Sequence, residues 1–432
     1  MRKSHALVGG ISNKTFTPGS YIVQAVNLYP RSATTDGDPK LALDIYPIIT
    51  DFQINESLYS PVMEVVFSIE DAVNLLEEYK LFGDELIDLV ILKPTQDESA
   101  DTEKLIIQLR IAEIANYVKR KPGAQFYQFR CVREHVYTNN NKLLVRPFSD
   151  TIARICQRIL KTDLGATVGE VAVSSKNVVK GIFPSLKPLS AAQWLIRNAY
   201  EDGTPIFLYE TLKDGLNIKS YKQMVESAQH DTYNNFPFLV ERTLGSESQY
   251  AEERRKILKV STESLTSKLV DTSSGAYSST LNAIDIANKE FIAVPYKYKQ
   301  RNKLNRSKPY SPGALIKEKS YETVFQNKNY YVSLNRGNDK NYHEPNYISI
   351  LEAEAHRENI NFMTHEITIN GDLDLSVGMK IEVLFAKSTD TEQAGTDDVV
   401  DKYLSGNYII TEIQHIFGKK YIQTLRIKKD SW

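Results

Sequence analysis

Apolar and polar positions alternate with period two over several stretches of this chain. In residues 46–55, Ile48, Thr50, Phe52 and Ile54 fall on one side. After Ser60-Pro61, the positions Met63, Val65, Phe67 and Ile69 alternate with Val62, Glu64, Val66 and Ser68. Such alternation, rich in β-branched and aromatic residues, predicts strands, and the Tyr59-Ser60-Pro61 break predicts a turn between them. A short helix is expected over 71–80, and three further strands over 85–92, 104–112 and 125–132. These are separated by the acidic run PTQDESADTE and the turn KRKPGAQ.

The period changes near residue 133. Ile152, Ile155, Ile159 and Leu160 make one face of a predicted helix that starts at Ser149 or Asp150 and runs to about Lys161. Ser190-x-x-Gln193 is a capping-box pattern before Trp194 and Leu195, and Gly203 with Pro205 stops that helix. Residues 205–210 and 216–221 read as a hairpin around Asp214-Gly215. A strand over 236–244 and a charged helix over 247–258 are weaker readings. Towards the end, a helix over 347–358 precedes strands over 362–370 and 378–385. The closing hairpin has Ile409, Thr411, Ile413, His415 and Phe417 on one face of its first strand, with Tyr421, Leu425 and Ile427 sharing a face of its second. Both ends are thus β-rich with a single helix, which suggests a duplicated architecture. The fold class expected is α+β, mainly β.

Composition narrows the function classes. The 432 residues carry 53 Lys and Arg against 54 Asp and Glu, a net charge of −1, which lacks the footprint of a protein that coats nucleic acid or an anionic membrane. No apolar run approaches the ~18 residues that span a bilayer, and no adequate apolar core follows the opening MRKSHALVGGIS, so no secretory signal is read there. Cys131 and Cys156 form no disulfide framework and read as two small buried hydrophobes. The 25 tyrosines point to contact surface.

Candidate chemistry is sparse. Phosphate-loop, dinucleotide, zincin and nucleophile-elbow motifs are all missing. His365-Glu366 begins like a zincin motif, but position 369 is Ile. The histidines at 5, 135, 230, 343, 356, 365 and 415 are scattered and read as structural. Glu392, Asp397 and Asp398 lie in a polar loop with nothing apolar nearby to tune a general acid. The run from Lys297 to Lys308, interleaved with Tyr296, Tyr298 and Tyr310, is the best nucleic-acid candidate, although a solvated or protein-binding loop suits it better. Thr34 to Asp38 resembles a calcium loop only superficially. No catalytic, cofactor-binding or metal residue is assigned, and no enzyme activity is expected.

Three runs carry a resemblance. IITDFQINESLYSPVMEVVFSI at 48–69, PLSAAQWLIRNAYEDGTPIFLYETLKDGLNI at 188–218, and LSVGMKIEVLF with LSGNYIITEIQHIFGKKYIQTLRIKKDS near the end resemble central baseplate hub proteins of contractile-tailed bacteriophages. The likeness covers some three-fifths of the chain, in consistent order. It implies two tail-tube-like antiparallel β domains, each with a short helix, plus α/β accessory modules. It divides the chain into an N-terminal arm (1–40), a first tube-like domain (41–132), an accessory module (133–225), a discontinuous second tube-like domain (226–260 and 345–432) and an inserted region (261–344). It further implies a homotrimeric, pseudo-sixfold ring that adapts a hexameric tail tube to a trimeric central spike and forms part of a DNA-ejection channel. Implied partners are the spike, tail-tube or tube-initiator proteins, baseplate wedge proteins and the tape-measure protein, with DNA only in transit and no membrane insertion. The implied location is the virion baseplate, assembled in the host cytoplasm. With three residues after the last strand, the spike is expected on a separate chain. A hub of a related contractile injection system is equally compatible, and a cell-wall hydrolase or a glycan- or nucleic-acid-binding module is the alternative.

Overall fold

The computed structural model describes residues 19–30, 42–92, 104–121, 123–171, 178–197, 199–201, 203–236, 253–265, 273–275, 278–285, 289–297, 328–334, 347–361, 363–387 and 399–429. The first part consists of β1 (Ile22–Tyr29), β2 (Leu43–Asp44), β3 (Ile49–Ser57), β4 (Glu64–Asp71), α1 (Leu75–Glu78), β5 (Leu86–Leu92), β6 (Lys104–Lys121) and β7 (Ala124–Val132). A mixed segment follows with α2 (Glu134–Asn140), β8 (Pro147–Thr151), α3 (Ile152–Arg158), β9 (Val168–Val171), β10 (Val178–Ile182), α4 (Pro188–Arg197), β11 (Tyr200–Glu201), β12 (Thr204–Thr211), β13 (Gly215–Ser220) and α5 (Tyr221–Glu226). The remainder comprises β14 (Gln229–Asn234), β15 (Ile257–Ser264), β16 (Ser278–Asp285), β17 (Glu290–Lys297), β18 (Lys328–Leu334), α6 (Tyr347–Asn359), β19 (Thr364–Asn370), β20 (Lys380–Leu384), β21 (Gly406–Phe417) and β22 (Tyr421–Lys429). The fold is mainly β, of the α+β class.

One 13-stranded sheet runs through both ends of the chain in the order β15-β19-β22-β21-β3-β4-β7-β6-β5-β1-β2, with β20 also on β21 and β14 on β20. Strand β21 joins the halves. Its first residues pair with β20, from Lys380↔Ile409 to Val383↔Gly406, and its last six pair with β3, from Glu412↔Ser57 to Phe417↔Phe52. The register of β21 against β22 shifts between Ile410 and Glu412. A bulge there adds twist and lets one strand change neighbour along its length. Phe52 and Phe417 stack across the seam with ring centroids 4.4 Å apart, and Phe417 stacks in turn on Tyr421 at 4.3 Å.

Separate hydrophobic cores lie in the two halves. Val26, Phe67, Leu89, Ile111 and Phe129 belong to the first, and Ile367, Ile381, Val383, Ile410 and Leu425 to the second. The mixed segment has its own core around Ile155, Ile159, Leu195, Leu208 and Ile218. Every residue of β12 is buried, as expected of a strand covered on both faces. Strands β16, β17 and β18 form a small sheet whose Leu281, Ala283 and Tyr296 pack with Leu351 and Ala355 of α6.

The structure departs from the expected elements in several places; among them, the helix expected from Ser149 or Asp150 starts at Ile152, because residues 147–151 form β8. The arm assigned to 1–40 contains β1, paired with β5 over Ile22↔Leu92 to Tyr29↔Leu86. A register shift between Val23 and Ala25 breaks the alternation that would have revealed it. Strand β6 continues to Lys121, through residues assigned to a turn, with shifts at Ile111/Glu113, Ala115/Val118 and Lys119/Lys121. The helix expected at 247–258 is replaced at its end by β15, whose Ile257 pairs with Ile369 on the edge of the second half. The helix expected at 71–80 shrinks to α1. The strand expected at 236–244 lies outside the described residues except for Phe236.

Candidate functional site: a polar sheet face and the carboxylate junction behind it

Period two gives the seam strands two different faces. On the outward phase, β3 presents Gln53, Asn55 and Ser57, β4 presents Glu64, and β21 presents Glu412 and Gln414, all half-buried at most. A concavity of about 530 Å³ lies over the seam, lined among others by Glu64, Glu263, Glu366, Glu412 and Arg426. Arg426 bonds Glu412 at 3.2 Å and Glu263 with Nε at 2.9 Å. Four outward carboxylates against one guanidinium leave the concavity acidic.

On the inward phase the seam carries a buried carboxylate. Glu56 is 2% exposed. Its Oε1 accepts the Leu212 N–H at 2.6 Å and its Oε2 the Val377 N–H at 3.4 Å. His415 Nε2 lies 3.6 Å from Oε1, and its Nδ1 is 2.8 Å from the Tyr421 hydroxyl. A second buried carboxylate answers from the other side. Glu210 Oε2, on β12, accepts the Met63 N–H at 2.8 Å. Arg133 Nε stands 3.3 Å from Glu210 Oε1 and His135 Nε2 3.7 Å from Oε2. Arg133 also donates to the carbonyls of Thr211 at 3.2 Å and Leu212 at 2.7 Å.

The β12–β13 turn is therefore gripped at both backbone poles. Leu212 is inserted into the core of the first half, while Lys213 pairs with Asp374 of the second at 2.5 Å. Burial pushes the Glu210 carboxyl up to about 7, with Arg133 and the Met63 N–H pulling against it. Burial, helped by Arg133, pulls His135 down to about 4. Backbone N–H groups occupy both oxygens of Glu56 and Oε2 of Glu210, while Glu210 Oε1 faces Arg133 at 3.3 Å, so the pair fastens chain segments.

The structure places the sequence candidates apart. Cys131 lies in the first core and Cys156 in the mixed segment's core, both as free thiols, and burial pushes the Cys156 thiol up to about 12. His365 points inward between the Phe385 and Tyr408 rings, with Thr262 Oγ1 3.0 Å from Nδ1, and Glu366 points to the acidic face. His230 lies 3.8 Å from Asp372, and His356 is buried in α6. Tyr296 is buried at the end of β17. Residues 298–308, Tyr310, Thr34 to Asp38, Glu392, Asp397, Asp398, His5 and His343 lie outside the described residues. Among the described residues, no group of three or more His, Cys, Asp or Glu could hold a metal ion, and no helix is long and apolar enough to cross a membrane. Glu56 had a visible signal: it occupies the apolar phase that runs through Phe52, Ile54 and Leu58. Glu210 had none, because its neighbours Tyr209 and Thr211 are buried as well.

No protein-family model matches the sequence, and no curated protein matches it. Solved structures do. The tail protein from Neisseria meningitidis MC58 aligns at a TM-score of 0.51 and 11% identity, over 94% of this chain and 96% of that one. The 43 kDa tail protein of prophage MuSo2 from Shewanella oneidensis aligns at 0.49 and 9%, over 94% and 98%. A type VI secretion system component from E. coli aligns at 0.43 and 9%, over 88% and 73%. At the level of the fold, the expected likeness to tail proteins is found: the chain shares the mainly β architecture of the Neisseria meningitidis tail protein along nearly its whole length.

Proposed function

We propose that the chain is a structural, non-enzymatic hub of a tail baseplate, acting as a homotrimer that joins a hexameric tail tube to a trimeric central spike. The observation that carries this reading is the seam. Two β halves, each with its own core, are fused edge to edge through β3 and β21 into one sheet with a polar outer face. Three such chains supply six sheet halves, which resolves a three-to-six symmetry mismatch. On this reading the polar face around Asn55, Glu64, Glu412 and Gln414 lines the channel through which DNA passes. The tube, the spike, the wedge proteins and the tape-measure protein are the neighbours, and the site of action is the virion baseplate. The domain division forms part of the same proposal, with 41–132 extended to take in β1, then 133–225, 226–260 with 345–432, and 261–344.

Light scattering over a range of concentrations, with negative-stain images, tests it. The expected result is three copies of the 49.1 kDa chain, about 147 kDa, forming a ring with a central hole. A monomer at every concentration, also in the presence of a co-expressed spike, would overturn it.

A further inference from the structure

Outside the large sheet, β8 and β10 form a two-stranded ribbon on the mixed segment, paired from Val178↔Thr151 to Ile182↔Pro147. Alternation along its first arm buries Leu144 and Phe148 and turns Leu143, Val145 and Pro147 outward. The second arm turns Val178 and Ile182 to the same side. Leu143 is 63% exposed, Val145 69% and Ile182 68%. An apolar outer face on a ribbon whose inner face already packs a core calls for a partner.

Two further observations identify the partner's chemistry. Residues 142–187 carry eight Lys and Arg against three Asp and Glu, in a chain whose net charge is −1. Of these, Lys180 sits exposed in the face between Val178 and Ile182, and Lys161 and Lys187 are exposed. Among the described residues, moreover, each ribbon strand pairs only with the other, which leaves backbone donors and acceptors on a free edge.

We infer that this ribbon takes an extended, acid-flanked apolar segment of a partner protein, added as a strand along the free edge. The outer face offers no aromatic ring for base stacking, which disfavours single-stranded nucleic acid. An open sheet edge is poorly suited to the interior of a bilayer. The inference is independent of the hub reading, since the ribbon belongs neither to the seam nor to the polar sheet face.

The probe is a fluorescein-labelled peptide of about ten residues, the length of an ordinary strand, alternating Val or Ile with Asp or Glu. A second peptide carries Lys in place of the acids. Binding to the full chain is read by anisotropy. The acidic peptide is expected to bind wild type, to lose about tenfold in affinity with Val145→Asp/Ile182→Asp, and to lose several-fold with Lys180→Glu or in high salt. All three exchanges alter exposed positions, and circular dichroism verifies the fold. Equal binding to Val145→Asp/Ile182→Asp, or equal binding of the Lys peptide, overturns the inference. So do two other outcomes: retention of wild type on phosphatidylglycerol vesicles but not on the acidic peptide, which assigns the face to a membrane, and a native mass that falls in Val145→Asp/Ile182→Asp, which assigns it to a second copy.

Discussion

Glu56 and Glu210 show how single side chains tie remote parts of the sequence together. A buried carboxylate is costly unless its oxygens are occupied, and here backbone N–H groups from Leu212, Val377 and Met63 occupy three of the four, while the Arg133 guanidinium faces the fourth at 3.3 Å. Glu56→Ala strands two of these N–H groups and is expected to cost about 3 kcal/mol, whereas Glu56→Gln keeps one acceptor oxygen and should cost less; urea denaturation of both variants measures the difference. The junction also has a pH signature. His135 is held near 4 against an ordinary 6.5, so its contribution to stability is present above 6.5 and is lost as pH falls towards 4. Glu210 is held near 7 against 4.5, so its contribution is present below 4.5 and is lost as pH rises towards 7. Between pH 6.5 and 4.5 the two slopes oppose and largely cancel. His365, pulled to about 4 first by burial and then by Lys429, has no such counterweight and should remove about 2 kcal/mol between pH 7 and pH 5. Thermal midpoints at those two pH values should therefore converge in His365→Phe. They should spread further apart in Glu210→Gln, which deletes the compensating carboxyl.

At the level of elements, β21 decides the architecture. Over residues 412–417 it is paired on both edges, with β3 and with β22, so a proline there loses a ladder bond whichever neighbour the lost N–H served. Gln414→Pro is expected to cost about 1–3 kcal/mol through the lost ladder bond, and hydrogen exchange should show lost protection in β3 and β22 together, since the seam opens as a unit. The same strand shows what local pattern can and cannot reveal. Its alternation from Ile409 to Phe417 was legible because one side is apolar without interruption, and the β3 and β4 strands were legible for the same reason. That β21 would change neighbour midway, from β20 to β3, was not, because pairing partners leave no local trace. Bulges concealed β1 and the second half of β6 by shifting the phase of their side chains. Strand β15 was missed for another reason: Leu258, Lys259, Ser261, Thr262 and Glu263 are all exposed, so it has no apolar face to read. Of the acidic sheet face, Glu64, Glu366 and Glu412 lie on strands that the pattern predicts, but Glu263 lies on β15, so the cluster itself could not be read from the sequence. The junction behind it needed the fold, because Arg133, Glu210 and Val377 are brought to β3 from three distant segments.

For the whole molecule, the nearly neutral net charge conceals an uneven distribution. The ribbon region is basic, while the concavity over the seam gathers Glu64, Glu263, Glu366 and Glu412 around Arg426. A polyanion moving along such a wall meets like charge and releases few counterions, so it gains little from sticking. That is the behaviour a channel for DNA requires, and it belongs to the surface, not to any one residue. Replacing Glu64, Glu366 and Glu412 by Lys changes the charge of the face by six without touching the buried junction. The triple variant is expected to be retained on immobilised double-stranded DNA at physiological ionic strength and released by added salt, with the wild type passing through. The distinction matters because a DNA-binding module would give the opposite order. If the wild type is retained and the lysine variant binds no more tightly, the polar face is not a repelling wall and the channel assignment falls, although the trimer could still stand. If only the variant is retained, the acidity of the seam face is what keeps a polyanion off it.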